Sequence, residues 1–206
     1  MPPRNAGGIG SSAPPSGQVF SEDKLKLRAN NMRQEWMQDK NEKELLLSMD
    51  EVLASPNAGK VIVQTNIDYA ADCKASELKS VIDMIVILYR NRKVTDSEIK
   101  TAVGGLVEFV DSFACDNPKI YGYIGDMVCA FINMNALGLD WLCDCTSRVM
   151  DESCKPKVII GTLESIQKSF GPGAVKSCIG NPSERSAMEK LLGPAKVAEI
   201  EAQFSG

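Results

Sequence analysis

From Ser21 onward, apolar side chains recur at three- and four-residue steps through most of the chain, the spacing of a buried helical stripe. Leu25, Ala29, Met32 and Trp36 form the first stripe. It follows Ser21, a good N-cap residue, and Glu22 and Asp23, whose charges suit a first turn. Leu45, Leu46, Met49, Val52 and Leu53 form a second, stopped by Ser55-Pro56-Asn57. A third helix is expected over Val61 to Cys73. The fourth follows Ser76 and carries Leu78, Val81, Ile82, Ile85, Leu88 and Tyr89 on one face. Thr95 and Glu98 then supply a capping box for a fifth. A sixth is expected from Pro118, a seventh near Leu139 and an eighth over Val158 to Phe170. Ser183 to Phe204 adds one or two more, interrupted at Gly193-Pro194. Val61 to Val63 and Val158 to Ile160 have strand-like composition, but no alternating set supplies partners, so the expected fold class is all-α. Short polar turns between such helices suggest consecutive antiparallel pairs, in an α-solenoid or irregular bundle. No fixed-period repeat is visible in the sequence itself.

Composition narrows the function more than the fold. A chain of 206 residues suits one sizeable domain, and 44% hydrophobic with 24% charged residues is ordinary for a soluble globular protein. Residues 1–20 are a Pro/Gly/Ser linker with little to bury, expected to be disordered. That stretch has no apolar signal core, and the longest apolar run, Met84 to Tyr89, is too short to span a bilayer. A net charge of −4 argues against a general nucleic-acid binder and suits docking on a basic protein surface. Seven irregularly spaced cysteines do not form a disulfide framework, so reduced thiols in an intracellular setting are expected.

The chain contains no histidine, which removes histidine-based triads and histidine metal ligands. Cys143, Cys145 and Cys154 lack a fourth ligand at plausible spacing, so buried thiols are the expectation rather than metal. "PNAGKVIV" lacks the earlier Gly and the Ser/Thr of a phosphate loop, and "SFGPGAVKSC" is expected to be a loop. Trp36 and Trp141 fall within helical patterns and are expected in the core. Arg90-Asn91-Arg92-Lys93 follows an apolar helix, where cations suit the dipole. No nucleophile–base pair emerges, so the chain is not expected to be an enzyme, and no cofactor, metal or small-molecule substrate is implied.

The densest chemistry lies at "VEFVDSFACDNPKIYGYIGDMV", residues 107–128, where two helical patterns meet at Asn117-Pro118. In the fifth helix, Ile99, Val103, Leu106, Val107, Val110, Phe113 and Ala114 share one face. Glu108, Ser112 and Asp116 line up away from it at four-residue steps, with Asp111 beside them. If the helix holds to Asp116, these residues make an exposed acidic stripe. Pro118 suits the first position of the sixth helix and Asn117 its N-cap, with Ile120, Ile124, Met127, Val128 and Phe131 as the core face. Asp116 is then not consumed in capping. The plainer alternative is that Asp116 serves only to end its helix.

"DSFACDNPKIYGYIGDMV" resembles the most characteristic stretch of the MI domain, also called the MA-three domain. "SEDKLKLRANNMRQEW" is similar to the first helix of that family, and "ELKSVIDMIVILYRNRKVTDSEI" to the helix-turn-helix before the acidic one. The resemblance covers residues 21–150 as an ordered series. It implies a HEAT-like, ARM-type helical module that binds the DEAD-box RNA helicase initiation factor 4A, with indirect association with mRNA and ribosome. It is closest to the domain of translation initiation factor 4 gamma scaffolds, which are cytoplasmic and support helicase action. Programmed cell death protein 4, which carries two copies and inhibits the same helicase, is the alternative, as are splicing or ribosome-biogenesis scaffolds. Residues 151–206 are expected as a helical extension packed on the domain, a feature that favours the scaffold.

Position by position, Asp116 matches the helicase-contacting acidic residue of the family and Pro118 its following proline. The second acidic position of the family falls on Ser112. Either Glu108 and Asp111 supply the missing charge from neighbouring positions, or the implied helicase contact is a weak one.

Overall fold

The computed structural model describes residues 19–204, so the expected linker lies outside the described residues except for Val19 and Phe20. Phe20 already belongs to the folded part: its N–H donates to Ser55 Oγ at 2.8 Å, and its ring lies 5.5 Å from the Arg28 guanidinium.

Twelve helices and no strand occur among the described residues. In chain order they are α1 (Glu22–Asp39), α2 (Glu42–Val52), α3 (Ala58–Asp72), α4 (Ala75–Arg90), α5 (Asp96–Glu108) and α6 (Val110–Asp116). There follow α7 (Ile120–Ile132), α8 (Leu139–Thr146), α9 (Lys155–Phe170), α10 (Pro172–Gly180), α11 (Pro182–Leu192) and α12 (Pro194–Gln203). The fold is all-α and helical-repeat-like. Its most extensive contacts join next-but-one helices, α1 with α3, α3 with α5 and α7 with α9, while consecutive helices also pack. One hydrophobic core runs from Leu25 to Phe204.

The stripes bury as their periodicity requires, except that Leu53, just past the end of α2, is 38% exposed. Leu25, Ala29, Met32 and Trp36 face inward from α1, and Trp36 Nε1 donates to the Ser80 carbonyl at 2.8 Å. Ser21 occupies the N-cap position of α1 but makes no side-chain cap, so the acidic first turn is the stronger start signal there. Thr95 and Glu98 do form the reciprocal capping box of α5.

Several boundaries differ from the sequence expectation, each for a physical reason. The α3 helix starts at Ala58 rather than Val61, because Asn57 adopts a left-handed φ of 60° that launches it. "SFGPGAVKSC" is not a loop: Gly171 takes φ 84° and Pro172 opens α10 at the position where a missing N–H costs nothing. The same Gly-Pro device, with Gly193 at φ 83°, separates α11 from α12. Most consequential, the fifth helix does not run to Asp116. It breaks at Phe109, with φ −106° and ψ 20°, and α6 begins anew at Val110.

The α7–α9 crossing is unusually close. A Cβ on Gly125 would lie 2.2 Å from the Gly161 carbonyl oxygen, and one on Gly161 would lie 2.7 Å from the Tyr121 carbonyl oxygen. Backbone therefore rests on backbone. A hydrogen bond of 2.8 Å from Ser165 Oγ to Asp126 Oδ1 flanks the contact. Gly125→Ala or Gly161→Ala is expected to lose about 2–3 kcal/mol through overpacking. Gly122→Ala, in the same helix with nothing within 4 Å of the new methyl, is expected to gain about 0.5 kcal/mol. Urea unfolding of the three variants measures both signs.

Candidate protein-interaction surface

The corner between α6 and α7 is built by Asn117. Its Oδ1 accepts the Lys119 N–H at 3.1 Å, and its Nδ2 donates to the Ala71 carbonyl at the end of α3, 3.0 Å away. The Asn117 carbonyl accepts from Ile120 N–H at 3.0 Å, closing a four-residue turn in which Pro118 holds the second position. That position favours the fixed φ of proline. The structure thus corrects the expected start of the helix at Pro118: α7 begins at Ile120, and Asn117-Pro118 act one turn earlier.

Asp116, the last residue of α6, is exposed and has no hydrogen-bond or ion-pair partner among the described residues. Pro118 beside it is exposed as well. The other residues expected in the acidic stripe do not share one line with it. Glu108 ends α5 and points toward α8, with Arg148 Nη1 at 4.0 Å; Asp144 holds the same guanidinium at 3.4 Å. Asp111 is half-buried, caps its neighbour Ser112 through a 2.8 Å bond from the backbone N–H, and bears on Tyr121 of α7. Ser112 is exposed and faces α3, in a cleft shared with Gln64 and Asp68. The break at Phe109 is the reason: each side of it sends its polar residues to a different neighbour.

That break also overturns the core assignment of Phe113. Val110 is fully buried, whereas Phe113 is 40% and Phe109 58% exposed. The two rings line the cleft of about 420 Å³ between α3 and the α5–α6 junction. Phe109 lies off the α5 core stripe on a helical wheel, so its exposure was readable from the sequence. The exposure of Phe113 required knowing where the helix breaks. On the other side of Gly105, Trp141 is half-buried rather than core and lines a groove between α5 and α8 with Gly104, Glu108 and Arg148. Cys145 Sγ donates to the Gly104 carbonyl there at 3.4 Å.

Elsewhere the chemistry is quiet. Burial pushes the Cys143 thiol up to about 12 and the Cys145 thiol up to about 11, which keeps both protonated at neutral pH. Burial, then the hydrogen bond to Cys154, raises the Tyr121 phenol. No group of three His, Cys, Asp or Glu placed to hold a metal occurs among the described residues. No helix among them is long and apolar enough to cross a membrane.

No protein-family model matches the chain, and no curated protein matches it.

The turning and the exposed charge separate by mutation. Asn117→Ala removes two hydrogen bonds from a half-buried side chain and is expected to cost about 1–2 kcal/mol. Asp116→Ala is expected to change stability by less than about 0.5 kcal/mol. Urea midpoints at constant m-value measure the difference.

Proposed function

We propose that this chain is the protein-interaction domain of a translation initiation factor 4 gamma-like scaffold, and that it docks a DEAD-box helicase of the initiation factor 4A type through the corner at Asp116. The observation that carries the reading is the division of labour at that corner. Asn117 and Pro118 make the turn, and the Asp116 carboxylate is left exposed and without a partner among the described residues. An uncommitted carboxylate on a pinned turn suits recognition of a basic protein surface, since no internal pair must be broken to engage it.

Two further features support the same reading. Phe109 and Phe113 stand exposed within a turn or two of Asp116, and aromatic side chains near a charged rim are the composition of an interface. The ordered resemblance of residues 21–150 to the MI domain supplies the identity of the partner. The domain would act by holding the helicase, without turning over a substrate, in the cytoplasm where translation begins. The scaffold is favoured over an inhibitor because α9 to α12 continue the same helical stack beyond residue 150.

Charge reversal tests the surface. Asp116→Lys combined with Glu108→Lys is expected to leave helical circular dichroism unchanged and weaken helicase pull-down at least tenfold, equivalent to about 1.4 kcal/mol or more. Unchanged capture by the folded double variant removes the assignment. Stimulation of helicase ATPase by the wild-type chain is expected of a scaffold; suppression marks an inhibitor.

A further inference from the structure

Beside the break at Phe109, the cleft of about 420 Å³ has two unlike walls. Phe109 and Phe113 form the α5–α6 wall, each with much of its ring in solvent. Gln64 and Asp68, one turn apart on α3, form the other. Gly105 lines the cleft from α5 without a side chain, and a Cβ there would meet nothing within 4 Å. A glycine inside a helix costs stability. No close neighbour among the described residues requires this one, and its effect is to keep the cleft open.

The polar lining is weighted toward acceptors. Gln64 donates from Nε2 to Asp68 Oδ1 at 2.7 Å, which leaves its own amide oxygen to accept. The Ser112 N–H is engaged by Asp111 Oδ1 at 2.8 Å. Asp68 is exposed, has no ion-pair partner among the described residues, and is the one charged residue lining the cleft. Lys26 of α1 feels the Asp68 charge, but its ammonium is held by Glu22 at 2.7 Å. Arg148, beyond Glu108, lines a different groove.

Exposed aromatic faces beside an unpaired carboxylate suit an arginine side chain at both ends. The planar guanidinium stacks on a ring and points its N–H groups at the carboxylate. The molecule builds such an arrangement once for itself. The Arg33 guanidinium lies 3.8 Å from the centre of the Tyr69 ring and donates to Asn66 Oδ1 at 3.1 Å. An aliphatic occupant would cover the rings but strip water from Asp68 without replacing it. A phosphate would meet the carboxylate directly. A lysine ammonium is more strongly hydrated and has no planar face to lay on the rings. We propose that this cleft takes an arginine side chain of a protein partner, stacked on Phe109 and Phe113 and hydrogen-bonded to Asp68. Choosing a protein as the source of that arginine rests on the docking reading of the Asp116 corner; the preference for a guanidinium does not.

The test titrates the full chain with an acetylated, amidated Gly-Arg-Gly peptide, and with its lysine and norleucine counterparts, while amide shifts are followed by nuclear magnetic resonance. The arginine peptide is expected to bind at least about fivefold tighter than either counterpart. Its shift changes should cluster on residues 64–68 and 105–113. Asp68→Asn is expected to remove that preference and to leave the norleucine peptide unaffected. Phe109→Ala with Phe113→Ala is expected to abolish arginine binding. Gly105→Leu, which places a side chain in the open cleft, is expected to weaken all three peptides, with circular dichroism checking the fold of every variant. None of these measurements involves Asp116 or a helicase, so their failure and the failure of helicase capture are told apart. Equal binding of the lysine or norleucine peptide overturns the proposal, as do absent binding and shift changes elsewhere. So does self-association of the chain that Gly105→Leu abolishes. Movement of the same amides by Arg4→Gln overturns it as well, by assigning the cleft to this chain's own arginine.

Discussion

The backbone contact between α7 and α9 is the constraint on which the rest of the molecule depends. Helices usually meet through interleaved side chains, which set their separation. Here Gly125 and Gly161 remove the side chains at the crossing, and each glycine faces a backbone carbonyl with no room for a methyl. The contact works only if α7 sits at one height along α9, because the Tyr121 carbonyl must lie over Gly161. Tyrosines on α7 add lateral ties. Tyr121 donates to Cys154 Sγ at the start of α9, 3.0 Å away, and Tyr123 donates to the Cys73 carbonyl just past α3, 3.2 Å away. With Asn117 tied to Ala71, the first turn of α7 is anchored to α3 and α9 together. The exposed carboxylate of Asp116 is presented from that frame.

How much of this was legible in the sequence follows from what periodicity records. A helical stripe reports which side chains face inward, so α1, α2, α4 and α5 could be drawn from Leu25, Leu45, Leu78 or Ile99 and their companions. It does not report a change of register. On either side of Phe109 the apolar residues remain three or four apart, and a wheel drawn through the break carries Phe113 into the core. The structure leaves that ring 40% exposed. Glycines mislead in a related way. Gly125 and Gly161 look like weak points in two helices, whereas they are the places where those helices touch. Only the partner backbone, distant in sequence, gives them that meaning. Gly171-Pro172 misleads in the opposite sense, since punctuation that suggests a loop is also the start signal of α10.

The candidate site was legible residue by residue but not as an arrangement. Asn117-Pro118 as the corner and Asp116 outside it follow from turn chemistry alone, and the structure places all three at the corner. The continuous stripe of Glu108, Ser112 and Asp116 required a continuous helix, and the break divides it. That division matters differently at long and short range. Charges attract an approaching partner over about a Debye length, roughly 8 Å at physiological ionic strength, so Glu108, Asp111 and Asp116 still sum during approach. In direct contact they cannot serve one row of cations. Glu108 shares Arg148 with Asp144, and Asp111 is turned toward its own backbone. A carboxylate at position 112 would add little to a contact at Asp116, because the Ser112 side chain faces the Phe109–Phe113 cleft.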